Sequence, residues 1–267
     1  MKASLLRWSA WAPGIESLDA WQAWARAPAP LPATGSPEAK FLPAMLRRRC
    51  TPLTRTMLTA AFGAADSDEL ARLRTVFASR HGSINESIGL LENVVRREKL
   101  SPATFSHTVH NAQAGLFSIA AGNRAASSSL SAQEDSWTAA WLEALCFLER
   151  DPREPVLVVI GDVPLADTFA PLVSEAAVPY AFAVQVAAAG RGPGVELELG
   201  LHESLAPPAP PWPPALEFLR WWLSPEQSLE QANRASLVRW RKVQSPWARR
   251  TLRATSTRSR ACSLRSS

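Results

Sequence analysis

Pro155-Val-Leu-Val-Val-Ile-Gly-Asp162 places five branched apolar residues in succession, with no polar residue to mark a wet face. A run this short and this uniformly apolar reads as a strand covered on both faces, the pattern of a sheet between two helical layers. Upstream, Ser129 to Leu145 (SLSAQEDSWTAAWLEAL) reads as a buried helix with Trp137, Ala140, Trp141, Ala144 and Leu145 on its apolar side. Downstream, residues 180–188 (YAFAVQVAA) and 194–202 (GVELELGLH) read as two further strands joined by the turn Gly190 to Gly194.

Further out, residues 74–79 (RTVFAS) read as a buried strand running into the turn Arg80-His81-Gly82. Helices are expected over about 52–65 and 84–97, the second with Ile88, Leu91 and Val95 at helical spacing and Ser101-Pro102 beyond its end. The opening residues read as a short apolar stretch, a Pro13-Gly14 turn and a helix pairing Trp21 with Trp24. Residues 105–132 read as a long polar connection, and 206–214 as a proline-rich linker. A closing helix is expected over 228–243, packed through Leu229 and Leu237. This order gives a layered α/β sandwich with a mixed, buried sheet and helices on both faces.

The composition, 267 residues with 46% hydrophobic and 20% charged, suits one large globular domain over residues 1–243. No apolar run approaches the roughly 18–20 residues of a membrane span, so a cytoplasmic protein is expected. The net charge of +5 would suggest nucleic acid, but six arginines lie beyond Gln244 with no acid among them, leaving the rest close to neutral. Residues 244–267 read as a disordered basic tail, and no nucleic-acid partner is expected.

Three scattered cysteines show neither disulfide nor zinc spacing, and no metal or cofactor site is expected. Cys146 reads as helix packing, and Cys50, after Arg47-Arg48-Arg49, as a surface or half-buried thiol. Ser127, Ser128 and Ser129 make no nucleophile elbow, and GRGPG (190–194) lacks the lysine and helix of a phosphate loop. Eleven tryptophans against one tyrosine point to aromatic core packing in the terminal regions, with an interface as the alternative use.

Ser131 followed by Glu134 has the spacing of a capping box, with Asp135 in the same first turn. TFSHTVHNAQAGLFSIAAGN (104–123) followed by SLSAQEDSWTAAWLEAL resembles the segment of β-ketoacyl synthases, in the thiolase-like superfamily, that leads to the active-site cysteine on a buried helix. RWSAWAPGIESLDAWQAWA near the start, with FLRWWLS and VRWRKV near the end, resembles the shorter ketosynthase-like amino-terminal-domain proteins called chain length factors of aryl polyene pathways. The resemblance covers roughly residues 1–243.

This resemblance implies a thiolase-like half-fold. Counting back from Glu143-Ala144, it puts Glu134 where the family has its nucleophile, and a carboxylate cannot form the acyl thioester that condensation requires. His107, His110 and Asn111 match the approach loop, and Ser131, Gln133, Glu134 and Asp135 are the helix-start candidates. The two histidines of a full ketosynthase's second half have no counterpart, since His202 is the one histidine after Glu134. The implied role is a non-catalytic subunit pairing with a full-length β-ketoacyl synthase as a heterodimer, with an acyl carrier protein as a further candidate partner. Malonyl decarboxylation at Glu134, or a carrier-protein scaffold built on the basic tail, are the alternatives.

Overall fold

In a computed structural model of the chain, residues 1–166, 169, 177–201, 212–232 and 236–243 are described. The strands are β1 (Lys2–Trp11), β2 (Arg74–Ala78), β3 (Ser127–Leu130), β4 (Val156–Asp162), β5 (Tyr180–Ala188), β6 (Gly194–Leu201), β7 (Ser228–Ala232) and β8 (Ser236–Val243). They form one sheet in the order β3-β2-β4-β5-β1-β6-β8-β7. Strands β3, β2 and β4 run parallel, and every other pairing is antiparallel.

The helices are α1 (Leu18–Arg26), α2 (Ala44–Arg49), α3 (Pro52–Gly63), α4 (Ser67–Leu70), α5 (Ile84–Val95), α6 (Pro102–Thr108), α7 (Ala112–Ala121), α8 (Ser136–Arg150) and α9 (Pro214–Leu223). Strand β4 is buried at every residue, as its uninterrupted apolar run requires. Val156, Val158 and Ile160 join Trp21, Trp141 and Phe218 of α1, α8 and α9, while Leu157 and Val159 meet Met57 and Phe117 of α3 and α7. The period-two alternation of a strand thus builds two cores, one on each face.

Small residues set the α3 side. A Cβ on Gly161 would approach Tyr180 O at 2.7 Å and Met57 Cγ at 2.9 Å, and one on Gly63 would collide with the Ser9 side chain. The helix therefore lies too close to the sheet for any side chain at these two points. The opposite face carries the large aromatics: Phe218 lies 4.8 Å from Trp240 and 5.0 Å from Trp137, and Trp141 lies 5.2 Å from Trp240. Trp11, Trp21, Trp24, Trp221 and Trp240 are all buried, so the terminal tryptophans serve mainly as core.

Several expectations are corrected. The opening stretch is not a preamble to a helix but a ten-residue strand in mid-sheet, between β5 and β6, with an irregular register between Leu5 and Trp8. The long connection over 105–132 contains α7, β3 and most of α6. The closing helix over 228–243 is instead the antiparallel hairpin β7-β8. Its alternation is the cause: Val238 and Trp240 point into the core and Arg239 and Arg241 point out, which a helix could not satisfy. Trp240 Nε1 then donates to Gln231 Oε1 at 2.8 Å across the hairpin. Cys146 is exposed rather than packed, whereas Cys50 is buried and donates to Leu46 O at 3.3 Å. Burial pushes the Cys50 thiol up, against the weaker pull of Arg55.

Most of the proline-rich linker and all of the basic tail over 244–267 lie outside the described residues. At the linker's end Trp212 packs edge-on against Trp24, 5.2 Å between ring centres, and Pro214 opens α9. Among the described residues no helix is long and apolar enough to cross a membrane.

Candidate functional site

The three parallel strands end together, and the segments leaving their carboxyl ends converge. In open α/β sheets this end is where side chains of separate loops meet. Strand β2 runs into Ser79-Arg80-His81-Gly82, β3 into the single 3-10 turn Gln133–Asp135, and β4 finishes on Asp162.

Asp162 organises the first of these turns. Its carboxylate is fully buried and accepts from Ser79 Oγ at 2.6 Å, Arg80 N at 3.1 Å and His81 N at 3.0 Å. Burial nevertheless pushes the Asp162 carboxyl above the usual carboxylate range, because desolvation outweighs the stabilising bonds. Ser79 Oγ also accepts from Gly82 N at 2.7 Å, closing the turn on itself. Gln113 Nε2 donates to Ser83 Oγ at 3.0 Å, tying the start of α7 to the same loop.

The turn so fixed aims Arg80 at Glu134. Arg80 Nη2 donates to Glu134 Oε1 at 3.2 Å, with the arginine side chain 14% exposed and the glutamate 41%. Ser131 Oγ donates to Arg80 O at 3.0 Å, so β3 and β2 are joined a second time just before the Glu134 turn. Gln133 sits at φ +53°, a left-handed conformation that costs a non-glycine residue about 1–2 kcal/mol. Three bonds hold it: Asp135 N to Ala132 O at 3.0 Å, Ser136 Oγ to Gln133 O at 2.7 Å, and Ala132 N to Ser136 Oγ at 3.0 Å.

The expected Ser131–Glu134 capping box is therefore not formed. Helix α8 begins at Ser136, whose hydroxyl performs the local turn closure, while the Glu134 carboxylate turns to Arg80 and Ser131 to a backbone carbonyl. Asp135 Oδ1 accepts from Ser236 Oγ at 2.6 Å, which fastens the start of β8 to the head of α8. Glu143 accepts from Ser128 Oγ at 2.6 Å and so sets the register of α8 on β3.

The approach residues are placed on α6 and α7. His107 is half-buried in the last turn of α6, while His110 and the α7 cap residue Asn111 are exposed. Gln113, not this trio, supplies the link to the Ser79–Ser83 turn. Arg80 and Asp162 are the residues of this candidate site that sequence reasoning missed. Each stands at the carboxyl end of a parallel strand, and that topology is the signal that would have found them.

A cavity of about 580 Å³ lies elsewhere, on a face of β6, β8 and β7 that no helix covers among the described residues. Glu196, Glu198 and Glu230 alternate there with Arg239 and Arg241, an arrangement of cross-strand charge pairs in solvent. Among the described residues no group of three His, Cys, Asp or Glu side chains could hold a metal ion.

A half-sandwich with a helix rising from the carboxyl end of a parallel trio is the thiolase-like ketosynthase architecture. Residues 21–241 match the model for the beta-ketoacyl synthase N-terminal domain, and the chain belongs to that family. Among solved structures it is similar to a chain of the ketosynthase (ApeO) in complex with its chain length factor (ApeC) from Xenorhabdus doucetiae, at 24% identity and a TM-score of 0.79, covering 90% of this chain and 99% of that one. It is also similar to the ishigamide ketosynthase/chain length factor, at 13% identity and a TM-score of 0.68, covering 91% and 100%. A third similar structure is AntDE:AntF, a type II PKS acyl-carrier protein in complex with its ketosynthase, at 13% identity and a TM-score of 0.59, covering 75% and 69%. At these identities the likeness establishes the fold. No curated protein matches the chain by sequence.

Proposed function

We propose that the protein is a non-catalytic, chain-length-factor-type subunit that pairs with a full β-ketoacyl synthase in aryl polyene, polyketide or fatty-acid-type biosynthesis and helps shape the acyl tunnel. The observation that carries this reading is Glu134. At the head of α8, where a condensing enzyme of this family needs a thiolate, the chain has a carboxylate engaged by Arg80 at 3.2 Å. If Glu134 holds the nucleophile's place, as the resemblance implies, this pair supports a subunit without an attacking group.

A second feature supports the partner role. Helices α5 and α6 contain no buried residue, yet carry Leu91 (64% exposed), Val95 (83%) and Phe105 (63%), and α7 adds Ile119 (67%). Exposed apolar side chains gathered on adjacent helices mark a protein-binding surface, and the outer edge of β3 lies beside it, next to α7. The structures to which the chain is similar include ketosynthase complexes with a chain length factor, so a ketosynthase is the partner this surface is assigned.

Native mass spectrometry of the chain co-expressed with a full ketosynthase of such a pathway tests the reading. A one-to-one complex is expected, and a chain that stays apart from the ketosynthase would overturn it. Malonyl decarboxylation at Glu134 is the competing reading, and Arg80 is the one observation in its favour, since it would neutralise a substrate carboxylate. Glu134 already takes that guanidinium. Glu134→Gln in the complex separates the two: unchanged product length fits tunnel shaping, and a lost decarboxylation rate fits catalysis.

A further inference from the structure

Strand β1 is accompanied along one edge by β5, from Ala3 to Trp11, but β6 pairs with it only from Lys2 to Ser4. On that second side Leu5 N donates to Pro193 O at 2.9 Å, and among the described residues no strand continues the lane of β6 past this point. Ala12 exchanges both backbone bonds with Ile15, at 3.2 and 2.9 Å, and Ala10 O accepts from Trp21 Nε1 at 3.0 Å, so both residues turn their backbone groups away from β5. Alternation turns Trp8 the same way, and among the described residues its amide and carbonyl have no partner on that side.

A cavity of about 380 Å³ lies along this edge. Every β1 residue from Leu6 to Ala10 lines it, together with Leu18 and Trp21 of α1 and Gly63 at the end of α3. Successive strand residues face opposite sides of a sheet, so a groove that touches all of them runs along the edge, with α1 and α3 as its two walls. Leu18, 55% exposed, and half-buried Trp8 make it apolar. Its rim is acidic: Glu16 and Asp19 are exposed and have no basic partner among the described residues, while Asp66 and Glu69 hold Arg7 at 2.9 and 2.6 Å. The irregularity at Leu6-Arg7 and the Arg7 charge are ordinary protection for a bare edge. They do not explain an exposed leucine beside it.

The register brings the chain's own continuation to this place. Val243, the last residue of β8, pairs with Gly194, and Gly194 pairs with Ser4. Because β8 is antiparallel to β6 and β6 to β1, β8 runs in the direction of β1. The chain after Val243 therefore departs level with Ser4, one strand spacing of about 4.8 Å to the side of the open lane, and heads along it. About two residues make that sideways step, and at about 3.3 Å per residue the next few run beside Leu6 to Ala10. The sequence there is Pro246-Trp247-Ala248-Arg249-Arg250: a proline where a strand can begin without a donor, an indole for the apolar walls and two guanidinium groups for the acidic rim.

We infer that residues 246–250 dock in this groove as a further strand parallel to β1, with Trp247 as the anchor and Arg249 and Arg250 on Glu16 and Asp19. The docking is intramolecular and independent of the ketosynthase partner. It withdraws these two arginines from those the basic tail could offer a carrier protein.

Hydrogen exchange of the full chain, followed by mass spectrometry on peptides covering residues 6–10, reads this strand addition. Deleting residues 244–267 is expected to speed exchange there about tenfold or more and to leave the β4 peptides unchanged. Arg249→Glu with Arg250→Glu in the full chain has the same effect in weaker form, and adding Glu16→Lys with Asp19→Lys restores the slow exchange, which a general loss of stability would not do. A synthetic peptide of residues 244–253 restores it in the shortened chain. The inference is overturned if full and shortened chains exchange alike at residues 6–10, or if the charge swap exchanges as fast as the Glu pair alone. Protection that rises with protein concentration and accompanies a dimer in native mass spectrometry also overturns it, and gives the groove to a second copy. The charge-swap variants keep the whole chain, so they decide the matter even where the shortened one fails to fold.

Discussion

Helices α5 and α8 look alike on paper and end in opposite circumstances. Both place large apolar residues three and four apart. In α8 this face presses Trp137 and Trp141 into the aromatic core, each less than 2% exposed, while in α5 no residue is buried. Apolar periodicity reports that a helix has a side wanting cover, and nothing in it says whether the cover comes from the same chain. The molecule uses one such helix to build its core and leaves the apolar side of the other uncovered among the described residues.

Four variants probe that contrast. Trp137→Ala should cost about 3–5 kcal/mol of stability, read from denaturant unfolding, because a fully buried indole leaves a cavity the surrounding rings cannot fill. A loss below about 1 kcal/mol would mean that the α8 core is looser than its ring contacts imply. The same kind of change on α5 should act on assembly alone. Leu91→Glu with Val95→Glu is expected to weaken pairing with the ketosynthase about a hundredfold, roughly 2.7 kcal/mol, while leaving the midpoint of unfolding within about 0.5 kcal/mol. If that variant unfolds instead, the α5 face is intramolecular after all.

Asp162→Asn should cost about 1–3 kcal/mol near neutral pH through the bonds to Ser79, Arg80 and His81 that its carboxylate accepts. Its pH dependence carries a sign. Because burial raises the Asp162 pKa above its ordinary value of 3.8, the folded state holds this proton more tightly than the unfolded chain. The stability it contributes is therefore fully present below that ordinary value and falls as pH rises through the raised one. Unfolding curves of the Asn variant should lack this decline, and a decline that persists would assign it to another group.

The smallest effect belongs to Glu134→Gln. The carboxylate is 41% exposed, so losing its charge pair with Arg80 should change stability by less than about 1 kcal/mol and leave ketosynthase pairing intact.

How far the fold was legible depended on where each element's partners lay. Strands β4, β5 and β6 were readable because uniform burial or alternation is a local property, and their observed limits lie within one residue of those read. The β7-β8 hairpin was misread because Leu229 and Leu237 were weighed above the strict alternation through Val238 and Trp240. Strand β1 was missed because its pairing partners on β5 and β6 lie 170 or more residues away. Within the candidate site, Glu134 was singled out by a family pattern along one segment. Its partner Arg80 and the anchor Asp162 were not, since residues 80, 134 and 162 meet only after three parallel strands have aligned.

That distant cover for β1 has a consequence for the newborn chain. Lys2–Trp11 leaves the ribosome well before residues 181–196, and it cannot be paired on either edge until they have followed. At roughly 5–20 residues per second, an apolar strand with two bare edges waits on the order of ten seconds or more. A strand left open for that interval is a target for holding chaperones, and the yield of folded protein is expected to rise with their supply.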